Sequence, residues 1–191
     1  MLIAGAMVLQ PGLLVADEPV SSLDASVRGE ILALMLKLVR ETGVTILVVT
    51  HDLGLAWNIA DRIAVMYLGS IVEVSPAEEL YDNPLHPYTI TLLSAVPIPD
   101  PVVERERKTI LLAGDLPSPA NPPHACRFHT RCPYVQETRC RDERPELRVV
   151  HGHEVACHWV EEIKAGRIEP KEIEPVFEPV VQAPVEGPPP V

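Results

Sequence analysis

The chain has 191 residues, of which 47% are hydrophobic and only 4% aromatic, so its core must be mainly aliphatic. The formal net charge of -11 argues against nucleic-acid binding through phosphates, which needs an excess of Lys and Arg. The longest apolar run, Leu2 to Ala16, is broken by Gln10, Pro11 and Gly12 and is too short for a membrane-spanning helix. No basic residue precedes this run, so a signal peptide is not predicted and a cytoplasmic location is expected.

The first predicted elements are a helix, a strand and a second helix. Residues 1–10 are apolar and small, which favours a helix packed on a sheet. Leu13 to Ala16 is a continuous apolar run, typical of a strand buried on both faces. Asp24 is a good N-cap, and the following pattern predicts a helix over residues 25–41.

The alternation of strand and helix then continues along the chain. The further predicted elements are a strand at residues 44–50, a helix at 53–60, a strand at 62–67 and a hairpin partner at 71–74. Alternating strands and helices with apolar strands predict an α/β fold with a parallel sheet.

Polar side chains follow two of these strands at the point where each strand ends. Asp17 and Glu18 follow the first strand, and His51 follows the second. In a parallel sheet these ends meet at one edge, where ligands bind. A carboxylate there can hold Mg²⁺ through water, a second can polarise an attacking water, and an imidazole can donate to a phosphate oxygen. Taken singly, each feature is more typical of a solvated strand end or a structural histidine.

In combination, the order and spacing of these residues resemble the ATPases of ABC transporters. Leu14 to Glu18 is similar to the Walker B motif of that family. The resemblance implies that Asp17 is the Mg²⁺-associated aspartate, Glu18 the catalytic carboxylate and His51 the switch histidine. It also implies a partial P-loop NTPase sheet that uses ATP and Mg²⁺.

The next residues resemble the D-loop of the same family, which contacts the partner subunit across a dimer. Ser21-Ser22-Leu23-Asp24 departs from the usual Ser-Ala-Leu-Asp at one position. The resemblance therefore assigns Ser22 and Asp24 to a dimer contact with a second ATPase subunit, in a homodimer or heterodimer.

Two other family motifs do not occur in this sequence. There is no G-x-x-x-x-G-K-[ST] loop, whose backbone N–H groups and Lys cradle the phosphates, and no Leu-Ser-Gly-Gly-Gln signature. The sequence is therefore interpreted as a truncated, C-terminal part of an ATPase, which alone is expected not to hydrolyse ATP. The alternative is a non-catalytic remnant or a metal-binding regulatory module.

The chain becomes rich in proline after Pro76. By composition, this part is a connector with a short helix at residues 88–95. Asn83 to Thr89, which contains His-Pro-Tyr-Thr, resembles the C-terminal region of ATPases of oligopeptide, dipeptide and nickel importers. That resemblance implies a subunit that energises peptide import and docks on membrane permease subunits at the inner face of the plasma membrane.

The spacing of the cysteines in this second part is C-x5-C-x7-C-x16-C. Clustered thiols in a cytoplasmic module indicate metal ligation, and the residues leave open an iron–sulfur cluster, Zn²⁺ or free thiols. The resemblance to peptide-importer ATPases implies a four-iron four-sulfur cluster. The candidate ligands are Cys126, Cys132, Cys140 and Cys157, with His124, His129 and His158 as substitutes in a zinc site.

Three segments are therefore predicted. Residues 1–75 are the C-terminal part of an ATPase domain, and residues 76–160 form a small irregular module that contains the cysteines. Residues 161–191 are rich in Glu, Pro and Val and are predicted to form a disordered acidic tail.

Overall fold

The computed structural model describes residues 2–97, 100, 105, 110, 112 and 114–171. Within these residues, no helix has the length and hydropathy needed to cross a membrane. The helices are α1 (Leu2–Met7), α2 (Ala25–Thr42), α3 (Leu53–Ile59), α4 (Ala77–Asp82), α5 (Pro87–Ser94) and α6 (Val160–Lys164). The strands are β1 (Leu13–Asp17), β2 (Thr45–Val49), β3 (Arg62–Tyr67), β4 (Ser70–Pro76), β5 (Arg148–Val150) and β6 (His153–Val155).

The strands form two sheets instead of the one parallel sheet that the sequence predicts. β1 and β2 pair in parallel, with Leu13 opposite Thr45 and Asp17 opposite Val49. β3 belongs to a separate antiparallel sheet with the order β3-β4-β6-β5. The predicted hairpin is confirmed as β3 and β4, but the predicted placement of β3 in the parallel sheet is wrong. β3 and β4 are joined by a short turn with Gly69 at φ 72°. Such a short connection allows two consecutive strands to pair only in the antiparallel direction.

One face of the parallel pair is open. The side chains on this face are between 51% and 59% exposed; they are Leu13, Val15, Leu47 and Val49. The prediction that the first strand is buried on both faces is therefore wrong for this structure. The strand was predicted correctly because a continuous apolar run indicates a strand, but its two-sided burial depends on what packs against each face.

The second part of the chain packs on the β3–β4 hairpin. Tyr67 of β3 meets Phe128 edge-to-face at 5.2 Å and Tyr88 at 4.7 Å. Phe128 is 1% exposed and lies in one apolar cluster with Leu80 of α4. Arg127 donates to the carbonyl of Leu68 in the hairpin turn. β4 also pairs with β6, so residues on the two sides of the predicted boundary at residue 76 are in contact, and the boundary itself stays a prediction.

A buried carboxylate ties three segments of this region together. Glu73 of β4 is fully buried and accepts the backbone N–H groups of Leu85 at 3.0 Å and His86 at 2.9 Å. Nδ1 of His153, on β6, lies 2.8 Å from Oε1 of Glu73. A buried polar group is costly unless it has partners, and Glu73 has at least three. The sequence analysis did not identify Glu73 or His153.

His86 lies in the same buried region and makes stability depend on pH. Burial lowers the pKa of His86 to about 3. A hydrogen bond with the backbone of Ala156 acts in the opposite direction but is the smaller effect. The unfolded chain therefore binds the proton below pH about 6.5, whereas the folded chain stays neutral until pH about 3. The contribution of His86 to stability is therefore fully present above pH about 6.5. It decreases as the pH is lowered from about 6.5 to about 3, by up to about 1.4 kcal/mol per pH unit for this one group.

We predict that His86→Asn reduces this acid sensitivity. Nδ1 of His86 accepts the N–H of Tyr88 at the start of α5, and the Asn carbonyl oxygen can replace it as an N-cap without titrating. Urea unfolding at pH 7 and pH 4.5 measures the loss of stability in both proteins. Equal losses in the wild type and the variant would contradict the role of His86.

The chain beyond β6 is helical where the sequence predicts that the disordered tail begins. α6 covers Val160–Lys164, and Val160 is buried. Glu161 pairs with Arg148 through two contacts of 2.6 Å, and this arginine lowers the pKa of Glu161 to about 2. The helix therefore includes the first residues of the segment predicted as tail. Residues 172–191 lie outside the described part, so their predicted disorder stays a prediction.

Candidate functional site

The parallel pairing of β1 and β2 places the predicted site residues at one edge of the sheet. Asp17, the last residue of β1, is opposite Val49, the last residue of β2. The N–H of Glu18 then donates to the carbonyl of Val49 at 2.9 Å, which continues the ladder by one bond beyond the strand end. Glu18 and His51 therefore leave the sheet on the same side, as the sequence predicts.

Glu18 and His51 are in direct contact. Oε1 of Glu18 accepts the backbone N–H of His51 at 3.0 Å and lies 2.6 Å from Nδ1 of its ring. With a carboxylate acceptor, Nδ1 carries the proton, and Nε2 is the ring nitrogen that does not take part in this contact. The Glu18 side chain is 34% exposed and the His51 side chain 83% exposed. The pair is thus preassembled and accessible to a ligand.

The backbone at Glu18 is in an unusual conformation. Its φ is 47°, in the left-handed region that residues with a side chain seldom adopt. This conformation turns the chain sharply at the end of β1 and directs the carboxylate toward His51. Residues in such sparsely populated regions cluster at functional sites, where the surrounding structure holds them in place.

Asp24 and Ser22 lie on the segment that follows. Asp24 caps α2, accepting the N–H of Val27 at 3.0 Å and the hydroxyl of Ser26 at 2.7 Å. The hydrogen bond from Val27 lowers the pKa of the Asp24 carboxyl, with a further contribution from Ser26. Both Ser22 and Asp24 are exposed, as is Asp17. The predicted N-cap is confirmed, and the role of Ser22 and Asp24 in a dimer contact stays a prediction.

A residue from the second part of the chain contacts the helix that follows His51, and the sequence analysis missed it. The hydroxyl of Tyr81, on α4, donates to the carbonyl of Leu53, the first residue of α3. Leu53 is two residues beyond His51. The separation of 28 positions between Tyr81 and Leu53 leaves no local signal from which this contact could be predicted.

The structure brings the four cysteines into one neighbourhood, all as free thiols. The backbone N–H of Cys126 donates to the carbonyl of Cys140 at 3.3 Å. Burial raises the pKa of Cys126 and Cys132, and raises that of Cys157 to about 12. Neighbouring cysteines add to these shifts: Cys126, Cys140 and Cys157 all raise the pKa of Cys132. Without a bound metal, these three thiols are therefore protonated at neutral pH.

The arrangement of these side chains does not support the predicted metal centre. Among the described residues, no group of three or more His, Cys, Asp and Glu side chains is placed to hold a metal ion. The zinc alternative is therefore not supported, and the iron–sulfur cluster is not shown.

Two of the histidines offered as substitute zinc ligands are engaged elsewhere. Nδ1 of His129 lies 2.7 Å from the carbonyl oxygen of Cys126. Nε2 of His158 lies 3.0 Å from the carbonyl oxygen of Glu143. His124 is exposed on a loop. These contacts favour the alternative in which these side chains are ordinary loop histidines.

Comparison with known proteins identifies similar chains. Residues 72–140 match the family described as the oligopeptide/dipeptide transporter, C-terminal region. The chain is 49% identical over 155 residues to the oligopeptide transport ATP-binding protein OppF of Salmonella typhimurium, covering 81% of this chain and 46% of OppF. It is 47% identical over 162 residues to the di/tripeptide transport ATP-binding protein DppF of Pseudomonas aeruginosa, covering 84% of this chain and 49% of DppF.

A solved structure is also similar, at a lower level. It is the ADP conformation of MJ1267, an ATP-binding cassette of an ABC transporter, with 22% identity and a TM-score of 0.41. The likeness covers 49% of this chain and 37% of that chain. From the coverages of OppF and DppF, the chain spans about half the length of the curated relatives it matches.

Proposed function

Because the chain belongs to the family of ATP-binding proteins of oligopeptide and dipeptide ABC transporters, we propose that it is part of the subunit that hydrolyses ATP to drive peptide import. In this function it pairs with a second ATPase subunit and docks on membrane permease subunits. The location is then the cytoplasmic face of the plasma membrane, held there through the permease. ATP is the substrate and Mg²⁺ the metal cofactor.

The observation that carries this proposal is the contact between Glu18 and His51. Glu18 is a carboxylate at the end of a parallel strand, where it polarises the water that attacks the γ-phosphate. It also accepts the Nδ1 proton of His51 in a hydrogen bond, which leaves Nε2 to contact the phosphate or the water. Phosphoryl transfer depends mainly on positioning and charge stabilisation, and a preassembled pair supplies both.

Asp17 is the residue proposed to hold Mg²⁺. It is exposed at the same sheet edge, and Mg²⁺ prefers carboxylate oxygens while it keeps several waters. The donor type and position therefore fit the ion. When bound, Mg²⁺ neutralises charge on the phosphates.

Ser22 and Asp24 are proposed to contact the second ATPase subunit. Their exposure leaves them available to a partner, and the capping role of Asp24 fixes the segment at the start of α2. The competing function is a non-catalytic module, in which the pair of Glu18 and His51 is a remnant.

A fusion protein tests the proposed function. This chain is joined after the part of Salmonella OppF that precedes the matched region, and ATP hydrolysis is measured with and without Mg²⁺. We expect Mg²⁺-dependent turnover, with the unfused chain as the background control. A folded fusion that binds Mg-ATP without turning it over would instead support the non-catalytic module.

We further propose that Cys126, Cys132, Cys140 and Cys157 hold a four-iron four-sulfur cluster. What supports this is their type and proximity: soft thiolates suit iron–sulfur clusters, and the thiols perturb one another's pKa. A four-iron four-sulfur cluster is larger than one ion, so its four ligands do not have to surround a single ion. The cluster would supply structural cross-linking to a region poor in regular apolar patterns.

Metal analysis tests this second proposal. After anaerobic purification we expect brown protein with about four iron and four sulfide per chain. Cys140→Ser should lose the iron, whereas Ser118→Ala, at an exposed loop position, should retain it. Stoichiometric zinc without iron, or neither metal, would contradict the cluster.

A further inference from the structure

The segment that carries His51 is held between β2 and the start of α3. On one side, the hydroxyl of Thr50 accepts the N–H of Asp52 at 3.1 Å. On the other, Oδ1 of Asp52 accepts the N–H of Leu55 at 3.0 Å and caps α3. The direction in which His51 leaves the sheet is therefore coupled to the placement of the first turn of α3.

Tyr81 fixes this first turn from outside the segment. Its hydroxyl donates to the carbonyl of Leu53, and its ring meets that of Trp57 at 4.5 Å with an interplanar angle of 68°. The two contacts lie one helical turn apart on α3, so together they define both the position and the rotation of the helix start. Burial is the main cause that raises the pKa of Tyr81, followed by the charge of Asp52, so the hydroxyl remains a donor at neutral pH.

Tyr81 is itself anchored to the second sheet. The neighbouring Leu80 is fully buried among Val65, Tyr67 and Phe128. The N–H of Ala77, at the start of α4, donates to the carbonyl of Asp61 at 3.0 Å. Because α4 is fixed to this core, Tyr81 relates the position of the second part of the chain, the C-terminal region after Pro76, to that of α3.

We propose that Tyr81 is a positioning residue for His51 and that it couples the C-terminal region to the candidate site. This inference rests on the proposed function for its catalytic meaning. The chain of contacts runs from the core through α4 and Tyr81 to Leu53 and, two residues earlier, to His51. A displacement of the C-terminal region would reach the contact between Glu18 and His51 by this route.

The spectroscopic signature of the His51 ring tests the coupling without nucleotide. The full chain is labelled with ¹⁵N-histidine, and long-range ¹H–¹⁵N spectra report the tautomer and hydrogen bonding of His51 at pH 7. Glu18→Gln defines the signal positions when the carboxylate is lost. We expect Tyr81→Phe, which removes only the hydroxyl, to shift the His51 signals toward those positions.

Tyr67→Phe is the matched control. The hydroxyl of Tyr67 is buried and has no hydrogen-bond partner among the described residues, so its removal should leave the His51 signals unchanged. Coincident signals for Tyr81→Phe and the wild type would overturn the proposal, as would a Glu18→Gln spectrum without any shift. If thermal unfolding shows that Tyr81→Phe does not fold, Trp57→Leu tests the ring contact, and unchanged His51 signals in that variant also overturn it.

This readout separates the two proposals. A wild-type fusion that does not turn over ATP contradicts the proposed function, while the ring signals still report whether Tyr81 positions His51. Conversely, an active fusion whose Tyr81→Phe form has wild-type ring signals contradicts only the coupling.

Discussion

Replacing Glu18 with glutamine is expected to lower the ATP turnover of the fusion protein by about 10²–10⁴-fold. The amide keeps the shape of the side chain but cannot act as a base or accept a proton from the attacking water. Binding of Mg-ATP should be retained, because Glu18 acts on the water in the transition state more than on the bound nucleotide. Turnover and nucleotide affinity are measured separately, by phosphate release and by titration.

The matched control for this change is Glu30→Gln. Glu30 is an exposed carboxylate on α2, outside the candidate site, so its variant should turn over ATP at the wild-type rate. His51→Ala should also slow turnover, because Glu18 then loses the ring that its carboxylate holds. Wild-type turnover in Glu18→Gln would show that the carboxylate is not the catalytic one.

Replacing Glu73 with alanine is expected to lower the free energy of unfolding by about 3–5 kcal/mol, because three buried hydrogen bonds lose their acceptor at a cost of about 1–3 kcal/mol each before the structure relaxes. The variant leaves the N–H groups of Leu85 and His86 without their acceptor and His153 without its carboxylate. Each buried group that loses its partner is destabilising, and all three losses occur in one variant. Urea unfolding followed by circular dichroism at pH 7 measures the change.

Two further variants identify the cause of that loss. Glu73→Gln keeps one acceptor oxygen and should be destabilised less than Glu73→Ala. Glu79 lies 3.9 Å from Nε2 of His153, but its side chain is 57% exposed, so Glu79→Gln should cost no more than about 1 kcal/mol. If Glu73→Ala were as stable as Glu79→Gln, the buried contacts of Glu73 would not hold the three segments together.

The sequence alone determined the elements with strong local patterns and the candidate site they create. The apolar runs before Asp17 and before His51 predicted two parallel strands, and parallel strands end at a common edge. The contact between Glu18 and His51 follows from that geometry, although the residues are 33 positions apart. Asp24 likewise predicted the start of α2, because an N-cap is encoded by the residue at the cap itself.

Only the tertiary structure decided how the second part of the chain is built. β5 and β6 have three residues each, too few for a strand period to be recognised. The pairing of β6 with β4 places Glu73 against His153, 80 positions away. The contact of Tyr81 with Leu53 is of the same kind. Such contacts depend on which surfaces pack together after the helices and strands form, and local sequence patterns do not predict that packing.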